Sequence, residues 1–144
     1  MFSLKKAARK FTLALSLATH VLMPLPLQSV TVAHSMDARV RSQLIRLDPL
    51  TRLEQRCNLE AMERITRENH HYDVDKVLAY AYSDPTIKSR GIQAQGAAMR
   101  SRGVWYKLSY SCRTKDNYLG IVSFNYNIGG VIPKKDWDHH YLVP

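Results

Sequence analysis

Two cysteines, Cys57 and Cys112, constrain this chain most, because they fall in stretches of different periodicity that each point inward. Around the first, Leu50, Leu53, Cys57, Ala61 and Ile65 recur at steps of three or four, widened by Leu59 and Met62, which is the apolar stripe of a helix. Asp48-Pro49 marks its start, since aspartate caps free N–H groups and proline suits the first helical position. The stripe predicts a long helix from Pro49 to about Glu68, with Glu60–Arg64 and Glu63–Arg67 pairs on its outer face. Around the second cysteine, Val104, Tyr106, Leu108, Tyr110 and Cys112 alternate with Trp105, Lys107, Ser109 and Ser111, the period of a half-buried strand. Both sulfurs therefore face one core.

Whether they bond depends on the compartment, and the first 33 residues bear on that. Lys5, Lys6, Arg9 and Lys10 precede an apolar run from Phe11 to Leu27, the order of a secretory signal. Pro24 and Pro26 disfavour a membrane-crossing helix, and Thr31 and Ala33 suggest cleavage before His34. An uncleaved anchor is the alternative. No cysteine follows the run before Cys57, so a lipoprotein attachment site is not expected. Export makes a Cys57–Cys112 disulfide the expected state, because exported thiols are normally oxidised in pairs. Two cysteines are too few for a zinc ribbon, and no Cys-x-x-Cys redox pair exists.

Removing the four leader bases leaves 17 bases against 12 acids, a net of +5. One domain is expected over residues 47–144, preceded by a flexible arm or weak helix over 34–46. Val74, Val77, Leu78 and Ala81 have the spacing of a short second helix capped by Asp73, with a strand through Lys76–Tyr82 as the alternative. Val122, Phe124, Tyr126 and Ile128 alternate with Ser123, Asn125 and Asn127, predicting a strand that pairs with the Cys112 strand. Ala97–Arg100 supplies a third strand through a glycine-containing turn at Ser101-Arg102-Gly103. Ile132-Pro133 leads into a short helical tail containing Trp137. The expected class is α+β, a long helix and a shorter one on an antiparallel sheet of about three strands.

The run Leu47-Asp48-Pro49 with Arg52-Leu53-Glu54-Gln55, Cys57 and Glu60-Ala61-Met62 resembles the opening of domain of unknown function 930, a family of exported proteins from rhizobia and related alphaproteobacteria. Ala79-Tyr80-Ala81 with Asp84-Pro85, Gly96-Ala97-Ala98, Arg100-Ser101 with Gly103 and Trp105-Tyr106, Leu108-Ser109-Tyr110 with Cys112, Ser123-Phe124 with Tyr126, and Ile128-Gly129 with Ile132-Pro133 and Trp137 follow that pattern in order. The resemblance covers about Leu47 to Leu142. It implies a bacterial envelope location and a shared fold, and brings no activity. The paired histidines His70-His71 and His139-His140 depart from it.

Those histidines lie near Asp73, Asp75, Asp136 and Asp138, but adjacent side chains diverge, so no metal site and no cofactor is expected. No nucleophile elbow is present, and Glu54, Glu60 and Glu63 read as solvated helix charges, so no enzyme is expected. The basic residues Arg100, Arg102, Lys107, Arg113 and Lys115 lie on or beside the sheet, and Trp105 shares a strand face with Lys107. Arg100, Arg102, Trp105 and Lys107 are the expected contact surface for an anionic envelope component or an acidic protein, unless a helix or the arm covers Trp105. Nucleic acid is not expected outside the cytosol, nor a stable membrane span after cleavage. The function expected is a non-catalytic, periplasmic or secreted binding or envelope-maintenance domain. The alternatives are an inhibitor of a wall-degrading enzyme and a hydrolase using His70 or His140.

Overall fold

The computed structural model describes residues 36–144; the leader expected over residues 1–33 lies outside the described residues. The stretch expected to be an arm or weak helix contains a short helix, α1 (Ala38–Ile45), whose first turn is capped by the Asp37 carboxylate accepting from the Arg39 N–H at 2.7 Å. Helix α2 (Pro49–Glu68) follows, and Asp48 caps it by accepting from the N–H groups of Leu50 and Thr51, each at 3.1 Å. Arg52 joins the two helices: its guanidinium donates to the carbonyls of Leu44 and Ile45 in the last turn of α1 and of Leu47 just beyond it.

On α2 the residues Leu53, Cys57, Ala61 and Ile65 are fully buried at steps of four, as the stripe predicts. Leu50 departs from it, being 54 % exposed in the first turn. The outer-face reading of Glu60 is also corrected. Its carboxylate is buried and accepts from Arg56 on one side and Arg64 on the other, at 3.0 and 2.6 Å. Arg56 in turn donates to the Leu119 carbonyl, so a charged network ties the helix to the loop before the last strand. Arg67 makes no ion pair with Glu63 among the described residues; Arg64 reaches Glu68 instead.

The segment expected as a second helix is a strand, β1 (Val74–Leu78). It pairs antiparallel with β3 (Gly91–Ser101), and the register slips between Val74 and Lys76. That bulge explains the misleading spacing: an extra residue at Asp75 turns both Val74 and Val77 to the core, reproducing the three-residue step of a helix. The sheet has five strands, not the expected three. Its order is β1-β3-β4-β5, with β4 at Val104–Thr114 and β5 at Ile121–Val131, while β2 (Thr86–Lys88) pairs with the opposite end of β3 from β1. All pairs are antiparallel.

Two local features set the register. Arg102 and Gly103, both at positive φ (49° and 76°), form the tight turn joining β3 to β4. A second bulge in β3 lies between Ala94 and Ala97, at Gly96. A Cβ on Gly96 would stand 2.5 Å from the Ser83 backbone nitrogen, so only glycine admits the β1–β2 connection here, where the Tyr82 N–H donates to the Gly96 carbonyl.

α2 covers one face of the sheet over Ile92, Ala94, Ala97, Met99, Leu108, Tyr110, Cys112 and Phe124. The Cys57–Cys112 disulfide crosses this core with Cα atoms 6.0 Å apart, joining helix to central strand. Val122 was expected on the same face but is 55 % exposed, because the β4–β5 register shifts between Arg113 and Thr114. A second, smaller core lies on the opposite face, where the C-terminal segment and its two 3₁₀ turns, Lys134–Asp136 and Asp138–His140, bury Ala98, Trp105, Ile132, Trp137 and Leu142.

Candidate functional site

The C-terminal segment decides what becomes of the expected contact surface. Trp105, expected to be exposed unless a helix or the N-terminal arm covers it, is fully buried beneath the C-terminal segment, and its indole N–H donates to the Val143 carbonyl at 2.9 Å. Arg100 is likewise occupied: it forks onto both oxygens of Asp75, at 2.8 to 3.2 Å, and donates to the carbonyls of Val143 and Pro144. The hydrogen bonds from Arg100 hold the Asp75 carboxyl below the usual carboxylate range. Both residues bind the tail: Trp105 has no exposed surface, and Arg100 is half-buried. Arg102 is exposed at the turn, away from the sheet face, and Lys107 is exposed with its ammonium 5.2 Å over the Tyr82 ring. Of the four expected contacts, the structure keeps Arg100, Trp105 and Lys107 on one sheet face, with Lys107 in the row next to the other two and exposed, and leaves Arg102 at the turn.

Beyond Lys107, the tail stops covering the sheet and a polar face begins. Alternation along β4 places Lys107, Ser109, Ser111 and Arg113 on it. Register extends the rows sideways: Thr86, Gln93, Ser111 and Asn125 lie opposite one another across four strands, Gly91, Arg113 and Ser123 form the next row, and Ser109 pairs with Asn127. Residues directly opposite share a face with Cβ atoms about 5 Å apart, so these side chains form one continuous surface. A groove of about 260 Å³ runs across its far end, lined by Thr86, Lys88, Gln93, Ser111, Arg113 and Ser123.

The charge of this face is one-sided. Strands β2 to β5 contain no Asp or Glu, whereas Lys88, Lys107 and Arg113 stand exposed, and none of the three joins an ion pair among the described residues. The nearest paired base, Arg90, is held by Asp116 on the loop before β5. The sequence pattern points to Lys107 and Arg113 but centres the surface on Trp105; the signal that locates it is the acid-free run from Pro85 to Lys115 with amides and hydroxyls at alternate strand positions.

Other titratable groups serve the scaffold. The Tyr110 hydroxyl donates to the buried Asn58 side chain at 2.7 Å, and burial, with a smaller push from the Glu54 charge, raises its pKa well above the usual phenol range. Partial burial raises the Glu54 carboxyl as well. His140 packs on the Tyr82 ring at 3.8 Å and its Nδ1 lies 3.0 Å from the Ala81 carbonyl. Among the described residues no group of three or more His, Cys, Asp or Glu side chains is placed to hold a metal ion, and no helix is long and apolar enough to cross a membrane.

This disulfide-clamped sheet, carrying α2 on one face and the tail over part of the other, defines an α+β domain. The family model described as Domain of Unknown Function (DUF930) matches residues 44–142, and the chain belongs to that family. No curated protein and no solved structure matches it.

Proposed function

We propose that this chain is an exported, non-catalytic binding domain of the cell envelope, periplasmic or secreted, that holds an anionic envelope component on the uncovered sheet face. The observation that supports this reading is the trio Lys88, Lys107 and Arg113, exposed and without an ion pair among the described residues, on strands without a single carboxylate. Amides and hydroxyls between them, Gln93, Ser111 and Asn125, donate to phosphate or carboxylate oxygens and to sugar hydroxyls alike. Arg113 offers a planar fork to such groups and the lysines offer point charges.

Retention of the purified chain on envelope fractions tests the reading, comparing the wild type with Lys107→Glu/Arg113→Glu. An exposed charge contact contributes about 1 kcal/mol, so reversing two weakens binding at least tenfold. Added salt weakens wild-type binding in the same direction. Arg102→Glu, off this face, leaves retention unchanged. Equal retention of wild type and double variant removes the face from consideration. The mass of the chain purified from an exporting host reports whether cleavage occurs before His34.

A further inference from the structure

The two long edges of the sheet are treated differently. Along the outer edge of β3 lie two short strands, β1 with five residues including Asp75 and Lys76, and β2 with three, entered through Pro85 and ending at Lys88. Short length, charge and proline are the devices that keep a sheet edge from pairing with another chain. β5, at the opposite edge, is eleven residues long and contains no charged residue and no proline. Apart from its ladder to β4, residues 121–131 make no backbone hydrogen bond among the described residues. The register is shifted at each end, yet Ser123 to Ile128 pairs with Arg113 to Leu108 without interruption, leaving a regular edge of six residues.

We infer that a second copy of this chain pairs antiparallel across β5, about a two-fold axis normal to the sheet, so that one sheet runs through both copies. Such an axis keeps each face on its own side, so residues meet only others of the same face. Centred on Tyr126, it sets Phe124 against Ile128 of the second copy beside the helix-covered face, and Asn125 against Asn127 of the second copy on the polar face. Apolar groups then meet apolar groups, and amides meet amides with complementary donors and acceptors. The absence of charge is what makes the strand compatible with itself, since a two-fold axis would bring any charge on it close to its own sign. Exposed Val122 and Val131, at the two ends, gain cover in the same arrangement. The pairing also sets the two polar faces side by side, but it rests on the edge alone and not on the ligand reading.

Sedimentation velocity over a dilution series tests it, with Asn125→Lys/Asn127→Lys as the variant. Both side chains are exposed in the single copy, so the variant keeps its melting temperature while opposing lysines across the axis. The expected result is a concentration-dependent dimer whose dissociation constant rises at least tenfold in the variant, with slower amide exchange in β5 as the dimer forms. Lys107→Glu/Arg113→Glu dimerises as the wild type does, separating this inference from the ligand reading. A wild type that stays monomeric throughout, a variant that dimerises equally well, or β5 amides protected only by a different protein would each overturn it.

Discussion

Removing the covalent tie between helix and sheet is the perturbation whose size follows most directly from the structure. The cysteines are 55 residues apart in sequence and both are buried, Cys57 fully and Cys112 to within 2 %. Closing a loop of that length takes about 14 cal/mol/K from the unfolded chain, or about 4 kcal/mol at 25 °C in the chain-entropy model. A domain of about 110 residues is stable by roughly 5–15 kcal/mol, so the bond contributes a quarter or more of the total. Unfolding entropy for such a domain is about 0.23 kcal/mol/K, which converts the loss to a fall in melting temperature of about 15–20 °C. Urea titration, followed through the buried Trp105 and Trp137, measures it on wild type, on reduced wild type and on Cys57→Ala/Cys112→Ala. The reduced protein isolates the cross-link, and the alanine variant adds about 1–2 kcal/mol for lost packing. The dependence of free energy on urea also steepens, because an unlinked chain exposes more surface. A loss under about 1 kcal/mol in the reduced protein would refute the reasoning, showing that the cores alone hold α2 on the sheet.

Three further outcomes are expected. Gly96→Ala destabilises by more than about 2 kcal/mol in urea titration, since the Ser83 backbone cannot retreat, while Gly130→Ala, with nothing within 4 Å of its new Cβ, changes stability by less than about 0.5 kcal/mol. Tyr110→Phe leaves the buried Asn58 carbonyl without its donor and costs about 1–3 kcal/mol; because the folded phenol has the raised pKa, its contribution is whole below about pH 10 and is lost as pH rises through the folded value, so alkaline unfolding is blunted in the variant. Asp75→Asn acts at the other extreme: the folded pKa is depressed, so the pairing with Arg100 is whole above about pH 4 and disappears as acid protonates the carboxyl, and an acid titration of stability that is the same in variant and wild type would contradict the assigned fork.

Elements whose pattern is complete within their own residues are legible in the sequence alone. The Asp48-Pro49 cap and the four-residue burial rhythm through Ile65 place α2, and strict alternation from Leu108 to Cys112 places β4, with both sulfurs facing inward. Among candidate site residues, Lys107 and Arg113 are legible as exposed sheet cations for the same reason. Tertiary structure alone decided the rest. Asp75, Gly96 and the end of β4 each carry a one-residue register shift, which converts a helical spacing into a strand at Val74–Val77 and turns Val122 outward. Nothing local announces such a shift, because it arises from the partner strand. Trp105 and Arg100 carry the pattern of an open face, and they are closed by Val143 and Pro144, some forty residues further along the chain. Periodicity states which side of a strand a residue occupies, whereas what lies over that side depends on where a distant segment finds its own apolar burial.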